Sequence, residues 1–134
     1  MKQWVAVFVA AFVCFATLVA DEAPELKSLS GTWSKQAGEF EVEFAFKGEK
    51  LAISLKRGSD KLILDSDVAV SRDGRVFGRV AVVTEDGIAG GGDKGELFTF
   101  NAKVSGKSVT VSELRGTNVS DDARKLVEGE FKKK

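Results

Sequence analysis

Arg79 is the side chain of this sequence with the most to offer a ligand, and its use depends on the register of two strands. With Asp73-Gly74 as a two-residue hairpin turn, Val70 pairs with Phe77 and Val68 with Arg79, which carries the guanidinium to the buried face beside Ser66. An arginine there would receive an anion or a carboxylate, because it cannot shed its charge and requires oxygen partners. A turn of another length buries Val76, Val80 and Val82 instead and sends Arg79 to solvent. Asp65 and Asp67 share the outer face of the preceding strand, about 7 Å apart, and would hold a hard cation only with a third carboxylate from a loop. Neither Asp65-Ser66-Asp67 nor Gly90-Gly91-Gly92-Asp93 has the spacing of a calcium loop, so a solvated strand face is expected, with no cofactor.

The residue types that are absent exclude more chemistry than those present allow. The chain has no His and no Tyr, and its single Cys is Cys14 in the N-terminal apolar run. A Ser-His-Asp or Cys-His site cannot be built from the rest, nor an ordinary zinc or copper site. Carboxylates, lysines, hydroxyls and backbone remain, enough for a glycosidase-like pair if two carboxylates converge on an inner face. The visible candidates do not: Glu39, Glu41 and Glu43 form an outer stripe, and Glu41 falls opposite Lys56. The glycine-rich segment lacks the lysine and hydroxyl of a phosphate cradle. Asn118-Val119-Ser120 is a formal glycosylation sequon whose serine is better used as a helix cap, and Lys132 to Lys134 is too short a basic tail to imply a partner. No catalytic residue is assigned.

Residues 1–20 read as a secretory signal peptide: Lys2 gives a positive start, Val5 to Val19 an apolar stretch, and Ala20 a small residue before Asp21. A membrane anchor needs about 20 apolar residues with suitable flanks, and this run stops at Asp21-Glu22. A lipid anchor at Cys14 is a poor fit, because Val13 is not small and the apolar run continues. Taking 20 residues from 134 leaves 114, residues 21–134, one domain that buries roughly 65% of its unfolded surface. That domain is disulfide-free and, without Lys2, carries 19 basic against 20 acidic residues. Such a balance gives no bulk attraction to nucleic acid or anionic lipid. A periplasmic or extracellular monomer is expected.

The segment that positions these residues is Phe40 to Val70. Phe40, Val42, Phe44 and Phe46, then Leu51, Ile53 and Leu55, then Leu62, Leu64, Val68 and Val70 stay in phase through turns at Gly48-Glu49 and Gly58-Ser59. Phe46 then faces Leu51, Phe44 faces Ile53, and Leu55 faces Leu62, which specifies an antiparallel meander with one buried face. A first strand precedes it from Gly31 to Gln36, a fifth runs from Arg75 to Thr84, and Glu85 to Gly95 is a mobile loop. Glu96 to Val104 is the sixth, and the seventh, around Val109 and Val111, breaks at Glu113-Leu114 in a bulge or strand end. Ser120 caps a short helix whose stripe of Ala123, Leu126 and Val127 lies over one opening of the sheet. Glu130 to Lys132 is the last strand and closes against the first. The fold class is all-β: an eight-stranded antiparallel up-and-down barrel, with a two-sheet sandwich as the alternative.

Trp33, beside Gly31, is placed to plug the barrel floor. The opening Gly31-Thr32-Trp33 resembles that of lipocalin-like and avidin-like barrels, and Gly31 to Gly38 is most similar to the avidin type. Biotin binding does not follow, because Lys35 and Glu39 replace that family's pocket residues and its tyrosine and further tryptophans are missing. Together with Asp73-Gly74-Arg75-Val76-Phe77-Gly78, Gly95 to Phe100 and Leu126 to Lys133, the opening resembles a family of small exported planctomycete proteins of unknown function. That resemblance implies one exported β domain and no activity. The expected function is a non-enzymatic module that binds an unidentified protein or small molecule; ligand candidates are Arg79, Ser66 and Trp33, and metal candidates are Asp65 and Asp67. An inhibitor of a secreted enzyme is the alternative, since small barrels with a Gly-x-Trp strand resemble bacterial protease inhibitors, and a carboxylate-based hydrolase is the other. The inner face carries Trp33 and Phe40, Phe44, Phe46, Phe98, Phe100 and Phe131, so a mostly filled interior is expected.

Overall fold

The computed structural model describes residues 25–90 and 92–134; the expected leader, with Cys14, lies outside the described residues. Eight strands follow in chain order: β1 (Gly31–Ala37), β2 (Phe40–Lys47), β3 (Lys50–Arg57), β4 (Asp60–Val70), β5 (Arg75–Asp86), β6 (Leu97–Ser105), β7 (Ser108–Gly116) and β8 (Gly129–Lys133). A one-turn helix α1 (Leu26–Leu29) precedes β1, and α2 (Asp121–Val127) lies between β7 and β8. Every neighbouring pair is antiparallel and β8 returns to β1, so the sheet is a closed up-and-down barrel rather than a sandwich. The closing seam is short: Trp33 pairs with Lys133 and Ser34 with Lys132. Beyond it the Lys35 ammonium reaches across to the Glu128 carbonyl.

The meander holds the register that its alternation predicts. Phe46 pairs with Leu51, Phe44 with Ile53 and Val42 with Leu55, then Leu55 with Leu62 and Ile53 with Leu64. Both turns are two residues long and begin on a glycine at positive φ, 59° at Gly48 and 61° at Gly58.

At Asp73-Gly74 the turn is longer than two residues. Ser71 and Arg75 close a three-residue turn in which the Ser71 amide donates to the Arg75 carbonyl at 2.9 Å and the Gly74 amide to the Ser71 carbonyl at 3.1 Å. The Ser71 hydroxyl also accepts from the Arg75 amide at 3.2 Å, and Gly74 supplies the left-handed residue at φ 85°. Val70 therefore pairs with Val76 and Ser66 with Val80, and Arg79 turns outward opposite Asp67. A bulge follows: Asp65 pairs with Val82, which leaves Ala81 without an opposite residue. So Val76 and Val80 are buried, Val82 is 53% exposed, and Val83 packs against the core in its place.

A second irregularity falls at Glu113-Leu114, where the alternation breaks. Glu113 has φ 52°, and Thr99 and Asn101 pair with Arg115 and Ser112, so two residues of β7 oppose Phe100 alone. The bulge returns Leu114 to the interior. Arg75 fixes it from outside, donating to Asn101 Oδ1 and Thr99 Oγ1 at 2.9 Å each and to the Glu113 carbonyl at 3.3 Å.

Candidate functional site

The barrel interior is divided into a filled floor and an open cup. At the floor Trp33 is 1% exposed; its indole N–H donates to the Leu29 carbonyl at 2.7 Å and the Lys133 ammonium lies 5.3 Å from its ring centre. Helix α1 thus supplies the acceptor that a buried indole requires. Above Trp33, Phe44 and Phe131 pack with ring centres 4.8 Å apart, and Phe44 meets Phe100 edge-on at 5.5 Å. Full burial of each phenylalanine is worth roughly 1.5–3 kcal/mol, which makes this half the stable base of the molecule.

The other half is not filled. A cavity of about 340 Å³ opens at the end where β2 starts and β3 ends, which corrects the expectation of a packed interior. Phe44 and Phe100 form its bottom, and Ile53, Leu55, Leu62, Leu64 and Val80 form its walls. The upper walls carry Leu, Ile and Val together with the rings of Phe40 and Phe98. Phe98 does not fill the space. It pairs with Gly78, and its ring lies so close over that glycine that a β-carbon there would overlap it. The absence of a side chain at Gly78 therefore leaves room in the cup.

Two elements cover the mouth. Helix α2 presents Ala123, Leu126 and Val127 to the cavity, the stripe expected from the sequence. Its start is capped by Ser120, whose hydroxyl accepts from the Ala123 amide at 3.2 Å, with Asp121 and Asp122 in the first turn. The glycine-rich connection adds Ile88 and Ala89. The rim is polar: Glu96, Thr117, Asn118, Ser120 and Asp122. A more open polar recess of about 410 Å³ adjoins the cup, lined by Glu85, Gly90, Gly92, Asp93, Glu96 and Asn118.

The residues singled out from sequence do not come together here. Arg79 is on the outer face, and Trp33 belongs to the floor with its N–H already used. Ser66 is buried at 2% exposure on the inner wall, next to Val80 and one layer below Leu64; its hydroxyl has no hydrogen-bond partner among the described residues. Asp65 is exposed, and Asp67 is bonded to Lys50, which with the more distant Arg79 charge holds its carboxyl below the usual range. Among the described residues no three His, Cys, Asp or Glu converge as a metal site.

Outside the barrel, the acidic stripe is paired differently from its register. Glu41 is the strand partner of Lys56, yet the Lys56 ammonium lies 2.9 Å from Glu43 Oε1. Lys134 bonds the other oxygen of Glu43 and lies 3.7 Å from Glu41. Burial disfavours the Glu43 charge more than any single partner favours it, but the two lysines together hold its carboxyl below the usual range. Lys35, inward-facing on β1, stands 5.5 Å from the Phe131 ring centre; burial lowers its pKa against the opposing pull of Glu128. The sequence offered one signal for Lys35, its two-residue spacing from Trp33, which puts both on the same face.

No family model matches this chain, and neither does any curated protein or solved structure.

Proposed function

We propose that this protein is an exported, non-enzymatic carrier that holds a small apolar molecule in the cup. The observation that supports the reading is the cavity itself: about 340 Å³, walled by Ile, Leu, Val and Phe and open at one end. That volume lies at the small end of the range for ligand sites, which are mostly apolar with a few polar groups at one end. A barrel that served only as a scaffold would gain stability by burying larger apolar side chains in this space.

A carboxylate hydrolase is disfavoured, because among the described residues the only carboxylates that line the cavity are Glu96 and Asp122 at the rim. The resemblance of Gly31-Thr32-Trp33 to lipocalin-like barrels supports a carrier, and the resemblance to small exported planctomycete proteins supports export. Native mass spectrometry of protein purified from its own host tests the reading. A small molecule retained in the intact protein and released on unfolding is the expected result. Protein that arrives empty and takes up nothing from an apolar extract of the same cells would contradict it.

A further inference from the structure

We infer that helix α2 is a lid that a molecule in the cup holds shut, with Arg124 as its latch; this rests on the carrier reading above. The helix covers the cup without being packed into it. Ala123, Leu126 and Val127 face the cavity, yet no residue of α2 is buried. A helix of seven residues is too short to hold its own shape in water and takes its stability from the face it packs. Over an empty cup that face has little to rest on.

What holds α2 down is polar. The bulge at Glu113-Leu114 leaves Leu114 without a partner in β6 or β8, and side chains of the helix and its C-cap take up both of its backbone groups. Arg124 donates through Nε to the Leu114 carbonyl at 3.1 Å, and the Leu114 amide donates to Glu128 Oε2 at 2.8 Å. Glu113, at φ 52°, is the one residue other than glycine at positive φ among the described residues, so the chain keeps a disfavoured conformation where the helix is caught. The two ends of the cover are tied separately. On one side the Thr117 amide donates to the Leu97 carbonyl at 3.2 Å; on the other Lys35 bonds the Glu128 carbonyl and Gly129 pairs with Val111. Between those ties, Arg124 to Leu114 is the one hydrogen bond from residues 119–127 to the barrel among the described residues. Breaking it lets α2 tilt off the mouth while the strands stay paired. A molecule in the cup gives Ala123, Leu126 and Val127 an apolar surface to pack on, which opposes the tilt.

Diphenylhexatriene, which fluoresces on leaving water, tests this on the purified protein. Saturation with it should slow hydrogen exchange of the Arg124 and Glu128 amides, which bond within the helix, by about tenfold. Arg124→Met keeps the apolar stem and loses the donor; it should release diphenylhexatriene about fivefold faster, with uptake changed by less than about twofold and the same circular dichroism. Arg124→Lys, which keeps a donor, should fall between. Arg124 also faces Asp121 at 3.5 Å, so Asp121→Asn removes that pair alone and should release at the natural rate. Natural-rate release from Arg124→Met, or α2 exchange that does not slow on saturation, would overturn the lid and leave the carrier reading standing. Absence of any saturable uptake would overturn both.

Discussion

Ser66 and Gly78 act on the inner wall in opposite ways. Ser66 brings a hydroxyl into an apolar layer where none of the described residues accepts from it or donates to it, and such a group costs roughly 1–3 kcal/mol. Ser66→Ala should therefore raise stability by about 1 kcal/mol in urea denaturation, with no loss of cup volume. Gly78 is the reverse case, since its missing side chain accommodates Phe98. Gly78→Ala should cost about 1–3 kcal/mol by overpacking and weaken binding of diphenylhexatriene, a neutral apolar fluorescent probe, as the ring is pushed into the cup. Outside, Glu43 gives the fold an acid limit. Its folded pKa lies below the ordinary value of 4.5, so between the two the unfolded chain binds more protons and stability rises with pH. That contribution is complete above the ordinary value and is lost as pH falls through the folded one. Glu43→Gln should flatten the pH dependence of the melting temperature in that window, leaving it unchanged in form near neutrality. The stripe containing Glu43 was visible in the sequence. The choice of Lys134 as a partner was not, because Lys134 lies past the end of β8 and its reach depends on the register of the β1–β8 seam, which the alternation does not specify.

At the scale of elements, the legible parts were those in which a two-residue turn carries the alternation from one strand into the next. Gly48-Glu49 and Gly58-Ser59 do so, and the registers of β2, β3 and β4 follow directly. The register of β5 was ambiguous because both its faces carry apolar residues. It was settled by the Ser71 side chain, which closes a three-residue turn, and by the bulge at Ala81, which has no signature of its own. The turn alone places Arg79 outside, opposite Asp67, and the bulge beyond it exchanges Val82 for Val83 on the inner face. Helix α2 was legible from its cap and its stripe. Removing the cap in Ser120→Ala should cost about 1 kcal/mol and loosen the cover of the cup. Stopped-flow dilution of bound probe should then show faster release, with less effect on uptake.

The whole molecule is a barrel with unequal ends. A count of inner-face residues could not reveal this, because the side chains that would fill eight strands are all present but unevenly placed. Trp33, Phe46, Phe100 and Phe131 seal the floor; Phe98 is turned onto Gly78 and the mouth is roofed by α2 and Ile88. The site was thus illegible while the fold was legible: register follows from period-two alternation, but a cavity depends on where each ring lies within the closed sheet. Chemical-shift mapping of the folded domain during titration with diphenylhexatriene tests the carrier claim most directly. Saturable shifts confined to the amides of Ile53, Leu64, Val80, Ile88, Phe98 and Leu126, with the Trp33 indole N–H unmoved, are the predicted result. Shifts confined to the outer faces of β5 and β6, or no saturable shift at all, would contradict it.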